Sequence, residues 1–253
     1  MTEPDAIVLS DLHLGSENCQ AKLLVDFLDA LHRRRTRTRR LILNGDVFDS
    51  IDFRRLKKSH WKVLGLLRKL SDDIEVTWVC GNHDGSAEIV SHLLGLTVVD
   101  EIIVPSGGKR VLFLHGHRFD EFIERYPLTT RFGDAIYRLL QWIDRTHTFA
   151  KLVKRRSKIF LRSTETIRAG AMRYARRQGC EVVCCGHTHH AVEERFGPVQ
   201  YFNSGCWTEL PCHYLSLTNG VVELHSYVDE LSQTEVESKL ILTGAINQKL
   251  VVA

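Results

Sequence analysis

Five short polar segments constrain this chain more than any other feature, because each follows an apolar run that has the composition of a buried β-strand. In chain order they are Asp11-Leu12-His13, Gly45-Asp46, Gly81-Asn82-His83-Asp84, His115-Gly116-His117 and Gly186-His187-Thr188-His189. Together they supply three Asp, one Asn and six His side chains. In open α/β sheets ligands bind beyond the carboxyl ends of the strands, so we expect these side chains to form one site.

The first half of the chain alternates between strand and helix patterns. Strands are predicted at residues 6–10, 41–43 and 76–80, and helices at 17–34, 61–70 and 87–94. Apolar residues recur at helical spacing in the segments between the strands. This alternation predicts parallel strands joined by right-handed crossovers.

The second half carries mostly strand patterns, with turn residues between neighbouring strands. Strands are predicted at residues 101–104, 110–115, 181–185, 200–203, 214–217 and 221–226. Gly107-Gly108 and Asn219-Gly220 are typical of tight hairpin turns. We therefore predict an α/β fold in which two sheets pack face to face with helices outside. Residues 230–253 show only weak mixed patterning.

A basic helical insert is predicted at about residues 118–179, within a single domain that spans residues 1–253. Apolar residues at helical spacing recur in it, and no strand pattern interrupts about 60 residues. Residues 118–178 contain 15 Lys and Arg against 6 Asp and Glu, a net charge of +9, whereas the whole chain carries only +3.

The bulk composition is that of an ordinary globular protein, with 43% hydrophobic and 26% charged residues. No apolar run approaches the ~18 residues that a membrane-spanning helix needs. The N-terminal residues are acidic, where a signal peptide would be basic. The seven cysteines are odd in number and lack zinc-ribbon spacing. We therefore expect a cytoplasmic protein.

The polar segments are rich in the ligands of divalent metals. Carboxylate, amide and imidazole groups suit Mn²⁺, Fe or Zn²⁺. Two neighbouring metals need one ligand that touches both, and Asp46, on a tight turn after Gly45, is the natural bridge. Asp11 and His13 are two residues apart, and so are His187 and His189, so both members of each pair can face one site where the strand ends.

These five segments resemble the calcineurin-like metallophosphoesterase superfamily over residues 7–205. The resemblance implies its αββα sandwich and two divalent metals, for which we expect Mn²⁺, with Fe or Zn²⁺ as alternatives. It assigns one metal to Asp11, His13, Asp46 and His189, and the other to Asp46, Asn82, His115 and His187. It also implies that His83 is catalytic beside the substrate phosphate, with Asp84 orienting its ring.

Within that superfamily the chain resembles UDP-2,3-diacylglucosamine pyrophosphatases and their relatives. The resemblance rests on the segments 10–15, 115–120, 185–189 and 201–209. It implies cleavage of a nucleotide-lipid pyrophosphate into UMP and a lipid phosphate, a step of lipid A biosynthesis, with the insert as a lid for acyl chains. Substrate-binding residues are then expected at His117, Arg118 and Asn203, and the basic insert could contact the inner face of a membrane.

Three positions depart from that pattern and keep an alternative open. Well-studied members have Arg where this chain has His83, and many relatives have Asp at the positions of His117 and Cys206. His83 matches instead the pattern of a general phosphodiesterase or nuclease of the same superfamily. Nucleic acid is the less expected partner, because no base-reading motif is present. A non-catalytic binding module is disfavoured, because all the ligand positions are filled.

Overall fold

The computed structural model describes residues 3–33, 37–85, 91–92, 94–120, 158–195 and 197–227. The predicted helix at 87–94 lies partly outside these ranges. Residues 121–157, which make up most of the predicted insert, and residues 228–253 lie wholly outside them. The predicted division into one domain with an insert therefore stays a prediction.

The first sheet has six strands and is mostly parallel. Its strands are β1 Ala6–Leu9, β2 Arg40–Asn44, β3 Glu75–Val79, β4 Thr97–Val99, β10 Cys212–Thr218 and β11 Val221–Tyr227. Their order across the sheet is β11-β10-β1-β2-β3-β4. The four strands β1 to β4 run parallel, as the alternation of strands and helices predicts, and β10 pairs antiparallel with β1 and β11.

The second sheet has five strands with a parallel centre. Its strands are β5 Glu101–Ser106, β6 Lys109–Leu114, β7 Val182–Cys185, β8 Val192–Glu194 and β9 Gln200–Asn203. The order is β5-β6-β7-β9-β8, in which β6, β7 and β9 are parallel and the edge strands β5 and β8 are antiparallel to their neighbours. The nine predicted strands are confirmed to within two residues at each end. The three-residue strands β4 and β8 were not predicted.

Three α-helices of the described residues, together with the alternation of side chains along the strands, complete four layers. Helices α1 Ala21–His32 and α2 Lys58–Asp73 cover the outer face of the first sheet, and α3 Lys158–Arg177 covers that of the second. Along β1, Ile7 and Leu9 face the helices while Val8 faces the second sheet. This period-two alternation places one core between the sheets and one under each helical layer. The predicted two-sheet α/β sandwich is confirmed. Among the described helices, none is both long and apolar enough to cross a bilayer.

At the edge of the sandwich where the parallel strand β1 begins, which we call the amino edge, lies a small polar cluster that we call the Asp5 clasp: Asp5, Ser106, Asn219 and Gly220. The Ser106 hydroxyl donates to Oδ2 of Asp5 (2.6 Å), and the Gly220 N–H donates to the Ser106 oxygen (2.7 Å). The Asn219 N–H also donates to Asp5 (3.0 Å). Since Ser106 ends β5 and Asn219-Gly220 joins β10 to β11, the clasp ties one sheet to the other. Both predicted hairpin turns are confirmed.

Candidate metal centre

The polar segments meet at the carboxyl ends of the central strands, as the sequence predicts. The loops after β1, β2 and β3 come from one sheet, and those after β6 and β7 come from the other. Two groups of side chains there have ligand atoms within 4.8 Å of one another: Asp11, His13 and His189, and Asp46, His115 and His187. We call them the first and second ligand groups.

Asp46 lies between the two ligand groups. Its Oδ2 atom is 3.2 Å from Nε2 of His115 in the second group and 3.8 Å from Nε2 of His13 in the first. Its other oxygen, Oδ1, accepts the His83 N–H (2.9 Å). A carboxylate oxygen that approaches ligands of both groups has the placement that a bridge between two metals requires.

The first ligand group is closed by contacts between its own members. Nε2 of His189 lies 3.2 Å from Oδ1 of Asp11 and 3.1 Å from Nε2 of His13. The Asp11 carboxylate also accepts the main-chain N–H of His187 at 3.0–3.1 Å. Because Asp11 and His187 belong to opposite sheets, this hydrogen bond fixes the two sheets against each other beside the site.

In the second ligand group, the ring of His115 is held in the orientation that a metal ligand needs. Its Nδ1 lies 2.9 Å from the carbonyl oxygen of Asn44, and since a carbonyl only accepts, Nδ1 is the donor. In the neutral ring Nε2 then carries a lone pair. Nε2 is buried and has no well-oriented hydrogen bond among the described residues. A buried, unpaired ring nitrogen beside a carboxylate fits a metal ion.

The charges of the site point to the same conclusion. Asp11 and Asp46 are 0% and 2% exposed, so burial alone would raise the pKa of each carboxyl. The neighbouring His189 lowers the pKa of Asp11 below its usual value, and His115 does so for Asp46. Burial would lower the pKa of His115, but Asp46 outweighs burial and raises it to about 10. Two buried carboxylates therefore attract positive charge, which a divalent cation supplies.

The backbone of the site is left-handed at most ligand positions. Five non-glycine residues of the two groups have positive φ: Asp11 (52°), His13 (47°), Asp46 (53°), His187 (67°) and His189 (57°). Among the described non-glycine residues, Asn219 of a hairpin turn is the one other case. Such conformations cost about 1–3 kcal/mol each and cluster at functional sites. The clustering indicates that the loops are shaped for ligand placement.

Two glycines leave room for the ligands. A Cβ at Gly81 would lie 2.2 Å from Oδ1 of Asp46, and one at Gly45 would lie 2.2 Å from Nδ1 of His115. Neither neighbour can move without leaving the site. Gly45 and Gly81 are therefore required by their close approach to the ligand side chains.

Asn82 and His83 lie on the exposed side of the site. Asn82 is exposed and stands between Gly81 and His83, which both contact Asp46, so its ligand role stays a prediction. The exposed ring of His83 stands 5.1 Å from the ring of His13, centre to centre, in an edge-on arrangement. The catalytic role of His83 also stays a prediction.

The expected contact between Asp84 and the ring of His83 is wrong. The Nδ1–H group of His83 donates instead to the main-chain carbonyl of Asp49 (3.0 Å). Asp84 is buried, and its carboxylate accepts four hydrogen bonds that join the loops after β2 and β3. The donors are the main-chain N–H groups of Asp46 (2.9 Å), Phe48 (3.1 Å) and Gly81 (2.8 Å) and the indole N–H of Trp78 (3.1 Å). Asp84 therefore holds the loops that carry Asp46 and His83 in place through buried hydrogen bonds.

The expected substrate contact of Asn203 is also corrected. Asn203 is 1% exposed, donates to the carbonyl of Gly186 (2.6 Å) and accepts the N–H of Gly205 (3.0 Å). Its side chain therefore holds two loops of the site and is out of reach of a substrate.

Of the other two expected substrate residues, His117 lies beside the second ligand group and Arg118 is held by residues outside it. The ring of His117 lies 5.6 Å from that of His115, and burial together with the neighbouring His115 lowers the pKa of His117 to about 4. Arg118 pairs with Glu101 and lies 4.6 Å over the ring of Tyr174. A substrate phosphate would compete with Glu101 for this guanidinium. The substrate-binding role of Arg118 therefore stays a prediction without support from the geometry.

Three polar residues near the site were missed by sequence reasoning. Asp120 places Oδ2 3.2 Å from Nε2 of His187, Asn44 donates to main-chain carbonyls of Leu114 and Cys184 (both 3.2 Å), and Asp49 contacts His13. Asp120 ends the segment 115–120, and Asp49 follows Asp46 by three residues, so proximity to the motifs was their only signal.

Comparison with solved structures gives weak likenesses. The phosphoesterase YfcE of E. coli is 19% identical, with 86% of this chain and 90% of that chain covered and a TM-score of 0.49. A novel archaeal phosphodiesterase is 15% identical, with 88% of this chain and 99% of that chain covered and a TM-score of 0.48. A Streptococcus pneumoniae protein described as a predicted phosphoesterase is 16% identical, with 90% of this chain and 99% of that chain covered and a TM-score of 0.41. No match was found among curated proteins.

Comparison with protein families is decisive. The profile of the calcineurin-like phosphoesterases matches residues 6–191, which contain both ligand groups. That family uses divalent metals in hydrolysis, and the paired groups with their buried carboxylates fit such ions. The chain belongs to the calcineurin-like phosphoesterases, a family of metal-dependent hydrolases.

Proposed function

We propose that this protein is a binuclear metal-dependent hydrolase that cleaves a nucleotide-lipid pyrophosphate of the UDP-2,3-diacylglucosamine type into UMP and a lipid phosphate. The observation that carries the binuclear part is the position of Asp46, whose Oδ2 approaches ligands of both groups. The oxygen and nitrogen donors suit Mn²⁺, with Fe or Zn²⁺ as alternatives.

The residues of the site divide the work of hydrolysis. Divalent metals, when bound, polarise phosphate oxygens and lower the pKa of water. The two ligand groups and Asn82 would hold them, with Asp46 shared. His83 is exposed beside the first group, and its Nδ1–H is already committed to the Asp49 carbonyl. Its Nε2 is then the free ring nitrogen, and a ring protonated at both nitrogens could give the Nε2 proton to the leaving oxygen and remain as the neutral Nδ1–H ring, a role that is often worth about 10²–10⁴ in rate.

The substrate assignment is supported by the sequence. The segments 10–15, 115–120, 185–189 and 201–209 resemble those of UDP-2,3-diacylglucosamine pyrophosphatases. Residues 118–178 carry a net charge of +9, which suits the phosphates of such a substrate and the anionic lipids of a membrane surface. His117 lies beside the second ligand group, where a substrate could contact it. In this proposal the enzyme works at the cytoplasmic face of a membrane.

A general phosphodiesterase is the second candidate, and His83 is the observation that favours it. At this position the well-studied lipid enzymes resembled by the chain carry Arg, which would bind a second phosphate by two hydrogen bonds. A histidine gives up that paired contact but can transfer a proton near neutral pH.

Three substrates compared side by side test the proposal. With Mn²⁺ and the full-length chain, we expect UMP release from UDP-2,3-diacylglucosamine to be much faster than hydrolysis of bis-p-nitrophenyl phosphate or single-stranded DNA. An Asp46→Asn variant serves as the blank. Hydrolysis of bis-p-nitrophenyl phosphate without UMP release would overturn the lipid substrate and leave the phosphodiesterase. Failure on all three substrates with Mn²⁺, Fe²⁺ and Zn²⁺ would contradict the hydrolase itself.

A further inference from the structure

Exposed apolar side chains are concentrated where β2 leads into α2. Of the six large apolar side chains that are exposed among the described residues, three lie within residues 51–61. Ile51 is 62% exposed, Phe53 38% and Trp61 53%. Ile51 and Phe53 belong to the loop between the two elements, and Trp61 lies in the first turn of α2. Contiguous exposed apolar surface of this kind marks an interaction site more often than scattered single residues do.

This apolar cluster borders the candidate metal centre. A Cβ at Gly85 would lie 2.5 Å from Cγ2 of Ile51, so Ile51 packs against the loop after β3 that carries His83. The ring of Phe53 lies 5.1 Å, centre to centre, from the ring of Phe48, which is buried just after the ligand segment of β2. The cluster is therefore on the edge of the sandwich where the polar segments meet.

The first turn of α2 adds positive charge beside the exposed tryptophan. Lys58 precedes Trp61 by three positions and Lys62 follows Lys58 by four, so the three side chains share one face of the helix. All three are exposed. Val63 and Leu67 belong to the buried face of α2, which packs on the first sheet. The outer face of this turn is therefore aromatic and cationic together.

The charges of Lys58 and Lys62 are not neutralised locally. Among the described residues, neither lysine has a carboxylate within ion-pair distance. They line a groove between the starts of α1 and α2, in which Lys22 is a third cation and Asp26 the one acid. The other cations of this stretch are each paired: Arg54 with Asp52, Arg55 with Asp49 and Lys57 with Glu17.

We propose that Ile51, Phe53, Lys58, Trp61 and Lys62, which we call the rim surface, dock this protein on an anionic phospholipid membrane. Tryptophan favours the boundary between headgroups and acyl chains, and nearby lysines are attracted to anionic headgroups. Exposed apolar side chains beside uncompensated ammonium groups match such a surface in both respects. The rim surface is separate from the basic insert at about residues 118–179.

The inference deepens the proposed function, on which it rests for the lipid substrate. A membrane that covers the rim surface would lie against the edge that carries the metal centre. A nucleotide-lipid held in that membrane would then have its pyrophosphate close to the ligand groups. Docking at this edge therefore supplies an orientation that membrane contact through the insert does not by itself define.

Vesicle binding tests the rim surface directly. The full-length chain is cosedimented with vesicles of phosphatidylcholine, alone or mixed equally with phosphatidylglycerol. We expect the affinity for the anionic vesicles to fall about fivefold for each lysine removed, and thus about 25-fold in Lys58→Ser/Lys62→Ser. Trp61→Ser should lose about tenfold, because its ring no longer buries apolar area. Binding to the neutral vesicles should be weak throughout.

Matched variants at the amino edge provide the controls. Lys69→Ser/Lys109→Ser removes the same charge, but Lys69 lies about 16 Å along α2 from Lys58 and Lys109 begins β6 at its end away from the site. Val221→Ser removes an apolar side chain that is 43% exposed, next to the Asp5 clasp. Both controls should bind anionic vesicles like wild type. Unchanged thermal unfolding shows that all variants fold.

The fluorescence of Trp61 reports its environment. Trp78 and Trp207 are 0% exposed, and Trp142 lies outside the described residues. In a Trp142→Phe background, anionic vesicles should move the emission maximum to shorter wavelength as the Trp61 ring leaves water. The shift should be absent in Trp142→Phe/Trp61→Phe.

Activity separates docking from catalysis. With UDP-2,3-diacylglucosamine in neutral detergent micelles, Trp61→Ser and Lys58→Ser/Lys62→Ser should release UMP at the wild-type rate, because neither changes a residue of the ligand groups. With the same substrate in anionic vesicles, the apparent KM of both variants should rise about as much as their vesicle affinity falls.

Three results overturn the proposal. Vesicle affinities of Trp61→Ser and Lys58→Ser/Lys62→Ser equal to wild type would assign any membrane contact to another surface. Binding of single-stranded DNA that exceeds vesicle binding and is lost in these variants would make the rim surface a nucleic-acid site. A dimer of the wild type that Trp61→Ser dissociates would make it an interface between copies.

Failure of the proposed function gives a different pattern. If vesicle binding depends on the rim surface but the wild type releases no UMP from micelles or vesicles, the lipid substrate fails and the docking surface stands. If UMP is released from micelles while vesicle binding is independent of the rim surface, the proposed function stands and this inference fails.

Discussion

The two edges of the sandwich are held together by different means. At the carboxyl edge, two buried carboxylates and a set of histidines crowd together on left-handed backbone. At the amino edge, the Asp5 clasp joins the sheets with short hydrogen bonds and no buried cluster of like charge. The binding edge therefore carries backbone strain and buried negative charge, and a metal can offset that charge, while the opposite edge connects the sheets without any ligand.

The largest effect is expected from a substitution at the centre of the carboxyl edge, where Asp46 lies between the two ligand groups. In Asp46→Asn, one oxygen would remain to accept the His83 N–H, and the amide nitrogen would face the histidines of both groups, where it cannot ligate. We expect metal content to fall from two ions per chain to one or none, with activity at background. Elemental analysis after dialysis measures this. Two retained metals would contradict the bridge, and Asp52→Ala serves as the control.

The next effect separates proton transfer from metal binding at the same edge. In His83→Ala, both metals should stay while kcat falls about 10²–10⁴-fold, because the residue is exposed beside the first ligand group, belongs to neither group, and is the proton donor in the proposed function. Steady-state kinetics and metal analysis of one sample test this. His32→Ala, at the far end of α1, is the matched control. Undiminished kcat in His83→Ala would remove the residue from the mechanism.

A smaller effect concerns the support beneath the site. In Asp84→Asn, the amide cannot accept all four hydrogen bonds, so at least one buried N–H loses its partner. Because hydrogen bonds to charged groups are worth about 1.5–3 kcal/mol each, we expect the free energy of unfolding to fall by about 3 kcal/mol. Urea unfolding of the metal-free protein measures it. Unchanged stability would mean that Asp84 does not hold the loops after β2 and β3.

The smallest effect lies at the amino edge. Ser106→Ala removes the donor to Asp5 and leaves the buried N–H of Gly220 without its acceptor, so the free energy of unfolding should fall by about 1.5 kcal/mol. Activity at a temperature where the protein is folded should not change, because Asp5 precedes β1 and Asp11 follows it at the other end. Ser71→Ala on the surface of α2 is the control. A loss of kcat would show that the two edges are coupled.

Much of the fold could be predicted from the sequence because the signals are local. The strands are short apolar runs, and the turns carry Gly-Gly and Asn-Gly, so each is readable within a few residues. Strands β4 and β8 were missed because three-residue edge strands depend on their neighbours for hydrogen bonds. Six of the seven expected ligand side chains lie in two groups at one edge, because parallel strands bring residues that follow them together, while their roles as metal ligands stay predictions.

The supporting residues could not be predicted because their roles depend on tertiary contacts. Asp84 was expected to hold its sequence neighbour His83, but four N–H donors occupy the same carboxylate, and two of them come from the loop after β2. Asn203 carries a polar side chain in a motif that suggests substrate contact. Its amide instead donates a hydrogen bond to the carbonyl of Gly186 and accepts one from the N–H of Gly205. Asp49 and Asp120 gave no signal apart from closeness to a motif.

The left-handed backbone of the ligand groups limits which residue types an engineer could place there. Asp, Asn and His are the non-glycine residues that occupy this conformation most readily, and Asp and His are also strong metal ligands. Exchanging Asp, Asn and His for one another at Asp11, His13 or His189 would therefore alter metal preference with little conformational penalty. A valine or isoleucine would lose the ligand and oppose the local backbone as well. The backbone of these loops thus tolerates only a few residue types at the ligand positions. Substitutions among those types are the ones that could change the metal specificity of this fold.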